Sequence, residues 1–121
     1  MLVDTNILID YLRDKPDAVH FVEVSHPTFS ISVISVAELY AGIKGGRELL
    51  ELREFLTTLP IHDVTEEIAG LGGSYLNQYA KSHAIGIAVA LIAATATTFN
   101  EELATLNVKD FPMVRSVLKP Y

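Results

Sequence analysis

At 121 residues the chain has the length of one domain and leaves no room for two. With no cysteine, it excludes a disulfide framework and a thiolate metal site. The formal net charge of −6 argues against a general nucleic-acid binder with a basic footprint, but a nuclease whose metal ligands are clustered carboxylates remains compatible, because bound divalent ions reverse the local sign.

Half the residues are hydrophobic, enough for one core. The longest apolar stretch, Ala84 to Ala96, is too short to span a bilayer and reads as a buried helix, so no membrane role is expected. The opening Met-Leu-Val-Asp reads as a strand rather than a signal peptide. Together with the lack of cysteine, this leads to the expectation of a cytoplasmic protein.

In chain order, Met1 to Asp4 is a short strand. Thr5 to Arg13 has helical spacing, with Ile7, Leu8, Tyr11 and Leu12 on one face. Asp14-Lys15-Pro16 breaks it, and Asp17 to Val24 forms a second helix with Pro16 suited to its first turn. Thr28 to Ser32 is a second strand. Ser35 to Ile43 is a helix that Gly45-Gly46 ends. Arg47 to Leu56 is an amphipathic helix, followed by a strand over Leu59 to His62.

Thr65 to Ser82 is a long helix. Its Gly70, Gly72 and Gly73 each cost about 1 kcal/mol against Ala and suggest a close helix contact. Ile87 to Phe99 is apolar on every face and predicts a central buried helix. Glu102 to Thr105 and Arg115 to Leu118 are the last strands. Strands alternating with helices imply an α/β fold: a parallel sheet covered on both sides.

In such a sheet, ligands bind beyond the carboxyl ends of the strands. Asp4 ends the first strand; alone, it reads as a helix N-cap. Glu38, in Ser35-Val36-Ala37-Glu38, reads alone as the far end of a capping box, although apolar Leu39, Tyr40 and Ala41 follow it. Asp110 follows the fourth strand and reads alone as a turn residue. Together the three fall at strand-to-helix transitions, which in a parallel sheet meet at one edge. Oxygen-rich sites of this kind suit magnesium or manganese.

These segments carry a family resemblance. Leu2 to Arg13 (LVDTNILIDYLR) resembles the opening of VapC-type PIN toxins, and Ile31 to Ile43 (ISVISVAELYAGI) resembles their second block. Gly86 to Ala96 (GIAVALIAATA) and Leu103 to Phe111 (LATLNVKDF) are similar to the third and fourth. The blocks stand in family order across nearly the whole chain. The resemblance implies a single PIN domain over residues 1–121, with a PIN-like fold: a central four- to five-stranded parallel sheet flanked by helices. It also implies a toxin of a toxin–antitoxin pair that cleaves RNA with Mg2+ or Mn2+. The substrate would be tRNA or rRNA, and the partners a VapB-like antitoxin and a second copy in a homodimer.

By the same resemblance, Asp4, Glu38 and Asp110 are the metal-binding and catalytic residues, with Thr5, Asn6, Thr105 and Asn107 in support. Asn107 and Asp110 compete for the fourth ligand position, and Leu106 replaces a common Arg. The third acid is missing: where the family reads Ile-Ala-Asp-Ala, this chain reads Ile87-Ala88-Val89-Ala90. No Asp or Glu lies between Glu67 and Glu101, so a register shift cannot restore it. Val89 offers no lone pair, which implies attenuated activity or, alternatively, an inactive module that keeps antitoxin, dimer or RNA binding. A phosphate-accepting receiver domain fits poorly, for lack of paired early acids.

The four histidines show no ligand spacing and read as surface or packing residues. Tyr75 and Tyr79 read as core or interface. Arg13, Lys15, Lys44 and Lys109 follow the candidate segments. Each alone reads as a solvated charge, with a phosphate contact as the alternative.

Overall fold

The computed structural model describes residues 1–26 and 28–121. Its elements are β1 (Leu2–Val3), α1 (Thr5–Leu12), α2 (Pro16–Ser25), β2 (Ile31–Ser32), α3 (Val33–Ala41), α4 (Gly46–Leu56) and β3 (Ile61–His62). They continue with α5 (Glu66–His83), α6 (Ile87–Thr98), β4 (Leu103–Ala104), a 3-10 turn (Val108–Asp110) and β5 (Val117–Leu118).

All strand pairs are parallel. β1, β4 and β5 form one ladder, and β2 and β3 another. A bridge between Leu2 and Ser30 joins the two, with Val3 N–H donating to Ser30 O and Ser30 N–H to Met1 O. The order across the sheet is therefore β3-β2-β1-β4-β5.

The strands are short but sort the core cleanly, because successive strand residues point to opposite faces. Leu2 and Leu103, in register, enter a cluster with Ile92, Ala93, Ala96 and Phe111. Val3 and Ala104 enter the opposite cluster with Ile7, Leu8, Phe29, Leu39 and Leu52. Both faces are thus covered, as the alternating pattern requires.

Four expectations need correction. The Ser35–Glu38 capping box does not form. The helix begins two residues earlier, where the Ser32 hydroxyl at the end of β2 accepts the Ile34 amide at 3.0 Å. Gly45-Gly46 does not end that helix but starts the next; Gly45 is the N-cap of α4. α6 is not buried throughout, since Ile87 in its first turn is 66 % exposed. Of the three α5 glycines, only Gly72 meets its neighbour. A Cβ there would lie 2.8 Å from Leu91 Cδ2 of α6, whereas Gly70 and Gly73 face open space.

No helix among the described residues is long and apolar enough to cross a membrane.

Candidate active site

β1 delivers Asp4 to the carboxyl edge of the sheet, where the chain turns directly into α1. Asp4 is indeed the N-cap of that helix: its Oδ1 accepts the Thr5 amide at 2.8 Å. The N-cap reading of Asp4 is therefore borne out. The residue is buried, 8 % exposed. Its other oxygen, Oδ2, accepts the Thr105 hydroxyl at 2.7 Å. Thr105 follows β4 and is itself fully buried.

Thr5 links two carboxylates. Its amide serves Asp4, and its hydroxyl lies 2.7 Å from Glu38 Oε1 and 2.8 Å from Ser35 Oγ. A hydroxyl has one proton, and an ionised carboxylate only accepts. Thr5 therefore donates to Glu38, and Ser35 donates to Thr5. Ser35, inside the first turn of α3, is fully buried. Its Oγ–H thus ends in a chain, Ser35 to Thr5 to Glu38, that fixes the orientation of an exposed acid. Sequence reasoning missed this role because a Ser three residues before a Glu is also the capping-box signature.

The other half of the site is looser. Asn107 N–H donates to Thr105 Oγ1 at 3.0 Å. Asn6 reaches the same oxygen only at 3.5 Å, and its own carbonyl accepts the Leu106 amide at 3.4 Å. Asp110 closes the 3-10 turn, half-buried, held through its backbone to Asn107 O.

Burial raises the Asp4 carboxyl above its ordinary range. The Thr105 and Thr5 hydrogen bonds oppose that shift, and the charges of Glu38 and Asp110 add to it. Asp4 thus feels the charge of both other acids.

Among the described residues, no group of three His, Asp or Glu side chains is arranged to hold a metal ion. The donor chemistry nonetheless fits a hard divalent cation, because magnesium usually keeps several waters and takes only one or two carboxylates. Asp4 and Glu38, bound through the same threonine, would supply that pair.

Val89 lies in the first turn of α6, half-buried. It packs on the cluster of Leu2, Ile92 and Phe111, as does Ile34, the neighbour of Ser35.

No hydrogen bond or ion pair joins a histidine to Asp4, Glu38 or Asp110 among the described residues. His62 stacks on Phe99 with ring centroids 4.0 Å apart, and its Nε2 faces Glu101 Oε2 at 3.3 Å without hydrogen-bond geometry. Lys15 pairs with Asp10 at 3.2 Å.

The family model described as "PIN domain" matches residues 1–115. Two ribonucleases of Mycobacterium tuberculosis align over the whole chain. VapC10 is 36 % identical, with 100 % of this chain and 92 % of that protein covered. VapC19 is 37 % identical, with 99 % and 98 % covered. Among solved structures, a toxin–antitoxin complex from Klebsiella pneumoniae superposes with a TM-score of 0.85 at 32 % identity, covering 99 % of this chain and 97 % of that one. Coming after a parallel sheet with Asp4 at its carboxyl edge, these matches place the chain: it belongs to the PIN-domain family, in its VapC-type ribonuclease-toxin branch.

Proposed function

We propose that this chain is a metal-dependent endoribonuclease toxin whose activity is attenuated by Val89. The observation that carries the reading is the pair Asp4 and Glu38, held by one threonine through its amide and its hydroxyl while Asp110 adds its charge nearby. Asp4 and Glu38 would hold Mg2+ or Mn2+, with Asp110 or Asn107 on the opposite side. When bound, the ion supplies an activated water and stabilises the leaving oxygen of a phosphodiester. Thr5, Ser35 and Thr105 keep the acids oriented. Asn6 and Asn107 position water or ligand. Products with a 5′-phosphate and a 3′-hydroxyl are expected.

The proposed partners are an antitoxin and a second copy of the chain. The relative from Klebsiella is a toxin–antitoxin complex. Here a groove of about 710 Å³ between α1, α2 and α4 has an apolar floor including Val19, Val22 and Phe55 and an acidic rim including Asp14, Glu23 and Glu54. A basic, amphipathic antitoxin segment suits it. The proposed homodimer is tested by the mass in solution at micromolar concentration. A strictly monomeric mass contradicts it.

A second reading, a non-catalytic module that retains its partners, is favoured by Val89 itself. Incubating a structured RNA with this chain, with and without Mg2+ or Mn2+, separates the two. Weak metal-dependent cleavage that Asp4→Asn abolishes supports the nuclease. No cleavage at any metal concentration supports the module.

A further inference from the structure

Ser32 stands at a junction with no spacer. It is the last residue of β2, in register with His62 of β3, and it is also the N-cap of α3. The sheet therefore runs straight into the helix that carries Glu38. The Ser32 backbone is extended, with φ −81° and ψ 147°, and its hydroxyl accepts the Ile34 amide at 3.0 Å. The side chain is fully buried.

The turn that Ser32 caps belongs to the candidate site. Ser35 and Glu38 lie three residues apart on one face of α3. Both meet the Thr5 hydroxyl, at 2.8 and 2.7 Å, while the Thr5 amide serves Asp4. Two contacts on a single oxygen leave α3 little freedom to rotate or slide at its start.

The N-cap of α5 shows what is particular about Ser32. Thr65 accepts the Ile68 amide at 3.2 Å, but it is exposed, and Glu66 and Glu67 follow in the first turn. Without the Thr65 hydroxyl, water and two acids remain to serve the free amides of α5. The first turn of α3 has no acid, and no solvent reaches the Ser32 oxygen. Losing a partner away from water costs more than losing an exposed one. The first turn of α3 can relieve that cost only by shifting or unwinding, which takes Ser35 off Thr5.

We propose that Ser32 is a positioning residue for the divalent ion. Its cap fixes the first turn of α3, and that turn sets Ser35 and Glu38 on Thr5, beside Asp4. Ser32 itself touches neither ion nor substrate. The inference rests on the metal-dependent reading above and adds to it a residue that acts through the start of a helix.

The test compares the natural chain with Ser32→Ala, Ser32→Thr and Thr65→Ala. Direct Mn2+ binding, followed by the paramagnetic resonance of the free ion, gives the affinity without any cleavage assay. The Thr5 amide resonance, recorded in chelator, reports the site without metal. Ser32→Ala should weaken Mn2+ binding about tenfold, the low end for loss of a partner outside the ligand set, and should move the Thr5 resonance. Ser32→Thr keeps a capping hydroxyl and should bind within about twofold of the natural chain. Thr65→Ala should melt roughly 2–4 °C lower but leave Mn2+ affinity and the Thr5 resonance unchanged.

Equal Mn2+ affinity in the natural chain and Ser32→Ala overturns the positioning role and leaves the metal site standing. Equal weakening by Thr65→Ala also overturns it, because general stability then sets the affinity. No Mn2+ binding by the natural chain overturns the metal-dependent reading, and this inference with it.

Discussion

The two halves of the candidate site are built differently. On the β1 side, Asp4, Thr5, Ser35 and Glu38 form a connected set with contacts of 2.7–2.8 Å. On the α6 and β4 side, the corresponding places hold Val89, which packs as a core residue, and Asp110, which is anchored through its backbone. The first half is held by side-chain hydrogen bonds, the second by a backbone contact and apolar packing. The difference shows where a PIN domain of this sequence keeps its preorganisation.

The largest effect should come from restoring the second half. Val89→Asp puts a carboxylate on an apolar, half-buried surface. In chelator it should lose stability, because a half-buried charge without a partner is costly. Added magnesium or manganese should reverse the loss, by about 2.7 kcal/mol at a hundred times the dissociation constant. RNA cleavage should rise by on the order of a hundredfold over the natural chain. Thermal melts with a metal titration, beside a cleavage assay, read both. Equal activity in the two proteins, or no metal-linked rise in melting temperature, would mean the missing ligand belongs elsewhere.

A smaller effect tests the organised half. Thr5→Val keeps the shape and the amide bond to Asp4 but removes the hydroxyl between Ser35 and Glu38. A buried Ser35 hydroxyl then loses its partner, at a cost of about 1–3 kcal/mol. Ser35→Ala removes the donor and leaves Thr5 bonded to Glu38, so it should cost less, about 1 kcal/mol. Chemical denaturation of the two variants gives that ranking. The reverse order would mean that the Thr5 proton is not committed to Glu38.

Much of this was legible in the residues. The parallel α/β sheet followed from alternating strand and helix patterns, and the two-faced core from Leu2-Val3 and Leu103-Ala104. What the sequence hid was hydrogen-bond direction. Ser35 and Glu38 have capping-box spacing, but Ser32 had already capped the helix, so the Ser35 hydroxyl was free to turn inward to Thr5.

The smallest effect separates the acid from its setting. Burial holds the Asp4 carboxyl above its ordinary range, so the folded protein binds that proton to higher pH than the unfolded chain does. Stability therefore falls as pH rises from the ordinary carboxylate range through the raised value, and stays reduced above it. Asp4→Asn removes the charge while its side-chain oxygen can still accept the Thr5 amide and cap α1. At pH 7 in chelator the variant should melt higher than the natural chain by roughly 2–5 °C. The gap should close as pH is lowered and Asp4 takes up its proton. With magnesium the order should invert, because only the carboxylate gains from the ion. Melting curves from pH 3 to 8, with and without metal, carry the whole comparison. A gap that does not change with pH would mean that Asp4→Asn acts through packing rather than through the buried charge.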